Sequence, residues 1–192
     1  MNGLNLNFVT SIRDLISIED LKFSRDEVIL VVKPENLIRT IKFLKYHTSS
    51  QYNILSCISC IDYPENSKRF EIAYDLLSVV YNSRMRVKIY VDDLYFLPSL
   101  TSVLPCANWW EREVWDLFGI FFKNHPDLRR ILTDYGFHGY PMRKDFPLSG
   151  YIEVRYNKTQ KRIICEPMDQ FNKEFRSFRF FNPWKSSNQI YF

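Results

Sequence analysis

Alanine is nearly absent from this chain, and so are most of the marks of an enzyme. Only Ala73 and Ala107 occur in 192 residues, while Phe, Tyr and Trp make up 17%. Alanine has GC-rich codons, whereas Phe, Tyr, Ile, Asn and Lys have AT-rich ones, so the composition points to an AT-rich genome such as that of many organelles. Histidine is scarce. His47, His125 and His138 stand in no recognisable spacing with a Ser or Cys nucleophile. The GxSxG, HExxH and GxxxxGK[ST] patterns are missing, and "GFHG" is too short to cradle a phosphate. A self-contained enzyme is poorly supported.

Long apolar runs are lacking too. The longest uncharged stretches, Tyr46–Ile61 and Leu94–Trp110, are diluted by Ser, Asn or Pro and fall short of the ~20 apolar residues of a spanning helix. The start, "MNGLNLNFVTSIRDL", reads as neither a signal peptide nor an Arg-rich transit peptide. The expectation is a protein made in the compartment where it works. Cysteine appears four times, as Cys57, Cys60, Cys106 and Cys165. "CISC" is a CxxC, but it lies in "YNILSCISCIDY", which reads as a strand, so its two thiols would face opposite sides. Redox and metal pairs need a turn or a helix start, and no second CxxC completes a zinc site. Small, buried and apolar is the reading for both.

What is present is one sizeable core's worth of apolar residues, 46% of the chain. Charge is uneven. Residues 1–125 hold 14 Lys/Arg against 15 Asp/Glu, whereas residues 126–192 hold 12 against 7. A neutral body and a basic tail suggest an interaction surface in the second part, for nucleic acid, an anionic membrane or an acidic protein.

The pattern along the chain predicts an α+β fold. "EVILVV" is a short apolar strand. "PENLIRTIKFLKYH" is a helix with Pro34 at its start and Leu37, Ile38, Ile41 and Leu44 on one face. "NILSCISCIDYP" is a second strand. "RFEIAYDLL" and "MRVKIYV" alternate with period two on either side of "YNSR", a long β-hairpin. The expected architecture is a mixed or antiparallel sheet with helices on one face over residues 1–122. Residues 123–192 are expected to form a Gly/Pro-rich loop and an extended, basic, aromatic C-terminal segment. Four of the five glycines and three prolines fall between 119 and 150, so that stretch is a structured loop. The last 22 residues carry eight aromatics interleaved with Lys173, Arg176, Arg179 and Lys185. They would pack back on the body or anchor in a partner.

"WWEREVWDLFG", residues 109–119, is the densest candidate site. On a helix, Trp110, Val114, Trp115, Leu117 and Phe118 form an apolar face, with Arg112, Glu113 and Asp116 opposite beside Trp109. Glu111 falls inside the apolar sector and needs a cation, hydrogen bonds or a proton. Arg129 and Arg130 in "HPDLRRIL" are the expected partners, and Glu111→Gln is then expected to destabilise. Glu113 and Asp116 with His125 could hold a metal, but a solvated or partner-facing edge suits them better. Three classes remain: a carboxylate-based catalyst, a nucleic-acid-binding module using the basic aromatic tail, and a subunit of an assembly. The sheet lacks an RRM-like aromatic signature, so the assembly subunit is favoured over the nucleic-acid module.

"EREVWDLFGIFFKNHPDLRRILTDYGFHGYPMRKDFPLSGYIEVRY", with "DYP", "RFEIAYDLLS" and "YNSRMRV" upstream, resembles the 30 kDa subunit family of respiratory complex I, the proton-pumping NADH:ubiquinone oxidoreductase, in its mitochondrially encoded form. The resemblance spans about Cys60 to Phe181. It implies a non-catalytic structural subunit of the peripheral arm, on the matrix side of the mitochondrial inner membrane or its bacterial cytoplasmic-membrane equivalent. It implies no cofactor in this chain, with FMN, iron–sulfur clusters and ubiquinone in other subunits. The expected partners are the 49 kDa subunit and neighbouring iron–sulfur subunits, with no nucleic acid and only indirect membrane association. Glu111, Arg112, Glu113, Asp116, His125, Arg129, Arg130, Arg143, Lys144 and Asp145 are carried over as interface or loop-fixing residues, none as catalytic, cofactor-binding or metal-ligating. The paired cysteines of "CISC" depart from the family pattern.

Overall fold

The computed structural model describes residues 15–24 and 27–168, together with Ile12. The aromatic tail from Phe171 to Phe192 lies outside the described residues, as does most of the N-terminal stretch. The chain divides into two compact units, Met1–Phe146 and Pro147–Phe192. Residues 123–146, grouped by the sequence reading with the C-terminal segment, lie in the first unit, and residues 147–150 of the same loop lie in the second.

That first unit is built on a five-stranded mixed sheet of order β1-β2-β5-β4-β3. β1 (Ile18–Ser24) and β2 (Glu27–Val32) are antiparallel, β2 runs parallel to β5 (Ser83–Val91), and β4 (Phe70–Ser78) is antiparallel to both of its neighbours, β5 and β3 (Ile54–Asp62). The β4–β5 hairpin follows the alternation in the sequence, with Asn82 taking the positive φ its turn needs. A 3-10 turn, Pro34–Asn36, leads into helix α1 (Leu37–Tyr46), which buries Leu37, Thr40, Ile41 and Leu44. These join Leu30, Val32, Leu55, Ile58, Phe70, Ile72, Tyr74, Leu76, Val87 and Ile89 in one core. Helix α2 (Ala107–Phe118) adds Ala107, Val114 and Phe118 to the same cluster. Both helices therefore cover one face of the sheet.

The opposite face is charged but well covered. Asp75 faces Arg86 at 2.5 Å and Glu71 faces Lys88 at 2.5 Å across β4 and β5, and Glu71 is only 6% exposed. A bulge at Leu55/Cys57 resets the alternation of β3. As a result Cys60 packs against the core, while Cys57 faces the other way and donates to Asp75 Oδ2 at 3.2 Å. The opposed thiols expected of a strand are found; their full burial is not, since both are half-buried.

Two short parallel strands, β6 (Leu97–Pro98) and β7 (Phe122–Lys123), bracket α2. The second unit contains an antiparallel hairpin, β8 (Ile152–Asn157) with β9 (Arg162–Pro167). Strand β1 and this hairpin were not anticipated from the sequence. Among the described residues no helix is long and apolar enough to cross a membrane.

Candidate functional site

Helix α2 is the frame of the site. It stops at Gly119, whose φ of +80° places it in the left-handed region and whose N–H donates to Trp115 O at 2.9 Å. A Cβ at this position would lie 2.6 Å from the Tyr140 ring. The glycine is thus required both by the backbone and by the loop side chain seated on it.

Glu111 occupies the apolar sector of α2, as its helical angle demands, and is fully buried. The sequence reading paired it with Arg129 or Arg130; the structure corrects this. Because β6 runs directly into residues 99–100 beside α2, Ser99 Oγ donates to Glu111 Oε2 at 2.6 Å and Leu100 N–H donates to Oε1 at 2.7 Å. The nearest group that could carry positive charge is the buried His125, with Nε2 at 3.8 Å from Oε2. Its Nδ1 accepts from Asp127 N–H at 3.1 Å, so the ring proton sits on Nε2, which donates to Asn108 O at 3.1 Å. Burial pushes the Glu111 carboxyl up to about 7, against the opposing pull of the Ser99 and Leu100 hydrogen bonds. The Tyr74 hydroxyl is also buried, has no hydrogen-bond partner among the described residues, and is raised by its burial and then by the Glu111 charge.

Asp116, one and a half turns further along, was expected on a partner-facing edge and is instead fully buried. The loop wraps over it. Its Oδ2 accepts from the N–H groups of Ile131, Leu132 and Thr133 at 3.1, 2.8 and 3.0 Å. Its Oδ1 accepts from Thr133 Oγ1 at 2.6 Å and Arg130 Nη1 at 2.9 Å. Burial would raise this carboxyl, but the Thr133 hydroxyl and the backbone donors outweigh it and hold it at about 2. Arg130 also donates to Gly139 O at 3.0 Å and lies against the rings of Trp115, Phe137 and Tyr140.

A second anchor lies at the end of β3. Asp62, 3% exposed, accepts two hydrogen bonds from Arg69 at 2.7 and 2.8 Å and one from Lys144 N–H at 2.8 Å. Arg69 reaches on to Asp145 at 3.1 Å. Arg143 donates to Phe118 O at 2.6 Å and pairs with Asp93 at 2.7 Å. Its guanidinium stacks between the Phe70 and Tyr140 rings at 5.2 and 4.9 Å, so cations and aromatic faces alternate from Arg69 through Arg130.

The remaining expected residues separate. Arg112 is 7% exposed rather than partner-facing; it lies over Trp109 and donates to Arg129 O at 3.2 Å. Glu113 is half-buried, and the exposed Arg129 pairs with Asp127 at 3.0 Å. His125 is brought to Glu111 and Asn108 rather than to Glu113 and Asp116, so the proposed three-ligand set is not assembled. Among the described residues no group of three His, Cys, Asp or Glu is placed to hold a metal ion. Reasoning from sequence missed Asp62, Arg69, Ser99, Thr133 and Tyr140. Only Tyr140 carried a signal, an aromatic beside a glycine-rich loop; the rest depend on pairing across 7 to 82 positions.

Residues 30–152 match the family described as "Respiratory-chain NADH dehydrogenase, 30 Kd subunit". "NADH-ubiquinone oxidoreductase subunit 9" of Reclinomonas americana is 58% identical over 163 residues, covering 85% of this chain and 79% of that protein. "NADH dehydrogenase (ubiquinone) iron-sulfur protein 3" of Beta trigyna is 53% identical over 152 residues, covering 79% of each. The solved structure "Nqo5 of the trypsin-resistant fragment (1-134)" superposes with a TM-score of 0.52 at 30% identity, covering 62% of this chain and 95% of that one. A chain of "the membrane-bound sulfane sulfur reductase (MBS), an archaeal respiratory membrane complex" shares the fold, with a TM-score of 0.64 at 24% identity over 74% of this chain and 85% of that one.

Proposed function

The chain belongs to the family of the 30 kDa subunit of respiratory-chain NADH dehydrogenase and is a peripheral-arm subunit of NADH:ubiquinone oxidoreductase, and we propose that its work there is structural. The observation that carries this reading is the use made of the charged residues in "WEREVWDLFG". Asp116, Arg112 and Glu111 are turned inward, where they tie residues 99–100 and 129–133 to α2. With Arg69, Arg143 and Asp62, they hold a loop of little regular structure rigidly against the sheet, which suits a surface that neighbouring subunits dock on.

On this reading the chain binds no flavin, cluster or quinone of its own, and electrons pass from NADH to ubiquinone through other subunits. An iron–sulfur cluster needs several thiolates converging on one site, and Cys57 and Cys60 point to opposite faces of the sheet. The 49 kDa subunit and the adjoining iron–sulfur subunits are the proposed neighbours. The proposed place is the matrix side of the mitochondrial inner membrane, with membrane association only through the complex. Native-gel separation of mild-detergent membrane extracts tests the proposal. The chain is expected in a large band that oxidises NADH; a chain running small, or moving with nucleic acid, would refute the assignment.

A further inference from the structure

The hydrogen bonding of Glu111 does not end at Ser99. The Ser99 hydroxyl that donates to Glu111 Oε2 at 2.6 Å lies 2.8 Å from Thr101 Oγ1, and in that second pair either oxygen can be the donor. Both lengths are those of well-formed O–H···O hydrogen bonds. The three groups also form a gradient of exposure: Glu111 is closed to solvent, Ser99 is 6% exposed and Thr101 is half-buried. A row of hydroxyls thus leads from a buried carboxyl on α2 toward the surface just beyond β6. The backbone helps to hold the row, since Thr101 N–H donates to Ser99 Oγ at 3.2 Å.

A hydroxyl donates and accepts at once, so such a row can hand a proton along. We infer that Glu111, Ser99 and Thr101 form a proton-binding site with its own route to solvent, in which a proton enters at Thr101 and is held on Glu111. In uptake, a solvent proton bonds to Thr101 Oγ1 and the hydrogen already there moves to Ser99 Oγ. The Ser99 hydrogen moves to Glu111 Oε2, and the carboxylate becomes a carboxylic acid. The acid then donates to Ser99, Ser99 to Thr101 and Thr101 to solvent, with each oxygen keeping its neighbours. Release runs the same row backwards. This site is independent of the structural-subunit reading above.

Among the described residues the other groups around Glu111 offer no such route. Its Oε1 accepts from Leu100 N–H, a backbone amide with no second site to pass a proton on. No lysine or arginine pairs with it. His125, from the segment after β7, has Nε2 at 3.8 Å from Oε2, beyond a hydrogen bond, and that N–H is engaged by Asn108 O. Tyr74, on β4, feels the charges of Glu111 and of Cys60 on β3, but its hydroxyl is fully buried and without a hydrogen-bond partner. Burial pushes Glu111 up to about 7, so the site changes occupancy near neutral pH.

A light-triggered pH drop followed by infrared spectroscopy of the full-length chain would time proton arrival at Glu111. The readout is the rise of the buried carboxylic-acid band that Glu111→Gln lacks. Thr101→Val keeps the side-chain shape and removes the relay hydroxyl. It should slow the rise by at least about tenfold, the effect of one lost hydrogen bond on the route, and leave the equilibrium midpoint in place. Thr101→Ser should restore the wild-type rate, and Ser102→Ala, which removes an exposed hydroxyl next to the row, should not alter it. Ser99→Ala should slow the rise and also lift the midpoint, because the hydrogen bond it removes favours the carboxylate. A wild-type rate in Thr101→Val, a Thr101→Ser variant as slow as Thr101→Val, or a Glu111 band that does not titrate around neutral pH would overturn the inference.

Discussion

Glu111 and Asp116 sit five residues apart on one helix, both fully buried, and yet their carboxyls are driven in opposite directions. Asp116 is met by three backbone N–H groups, a threonine hydroxyl and a guanidinium, and is held at about 2. Glu111 receives one hydroxyl and one N–H, has no guanidinium or ammonium paired with it among the described residues, and is pushed up to about 7. Both are closed to solvent, but Glu111 lies deeper in the protein and burial raises it further, while the Thr133 hydroxyl and three backbone N–H groups outweigh burial at Asp116. Asp116 works as an ionised clamp on the loop, whereas burial shifts Glu111 toward the neutral acid.

The contrast can be broken most forcefully at the clamp. Asp116→Ala would strip five donors of their acceptor and leave Arg130 without its buried partner, a loss of about 3–5 kcal/mol in urea unfolding. Gly119→Ala forces a positive φ on a residue whose Cβ meets Tyr140, and should cost about 2–4 kcal/mol by the same measurement. Glu111→Gln should do the reverse of what the sequence suggested. No cation is orphaned, and the amide can still engage Ser99 and Leu100, so at pH 8 the variant should be more stable than wild type by roughly 2–3 kcal/mol, with no gain near pH 4.5.

The pH dependence follows with opposite signs. Glu111 titrates higher in the folded chain, about 7 against its ordinary 4.5, so its contribution is fully present below 4.5 and is lost as pH rises through 7. Asp116 titrates lower, about 2 against 3.8, so its contribution is present above 3.8 and is lost as pH falls through 2. Wild-type stability should therefore decline between about pH 4.5 and 7, and Glu111→Gln should flatten only that limb. At the small end, Arg129→Ala removes a solvent-exposed pair with Asp127 and should change stability by less than about 0.5 kcal/mol.

How far the sequence foretold this depends on the range of the interaction. Strand β2, helix α1 and the β4–β5 hairpin announce themselves by period and turn chemistry, which are local. The anomaly of Glu111 was legible too, since a carboxylate in an apolar sector shows at 100° per residue. Its partner was not, because Ser99 and Leu100 reach it only through the β6–α2–β7 crossover. Helical angle also misled for Asp116 and Arg112. They lie away from the sheet, but the 129–133 loop covers them, and nothing in α2 itself records that cover. Strand β1 went unseen because "IEDLKFS" mixes charge with few apolar residues, as an edge strand can. The bulge at Leu55/Cys57 could not be read from alternation either, because it is an interruption of it.

Turnover per assembled complex in Asp116→Ala and Glu111→Gln tests the structural role most directly. Asp116→Ala is expected to lower the amount of NADH:ubiquinone oxidoreductase while each assembled complex turns over at the wild-type rate. Glu111→Gln is expected to change neither amount nor rate. Complexes assembled in full but impaired in turnover, in either variant, would give these carboxylates a part in the chemistry and contradict the account.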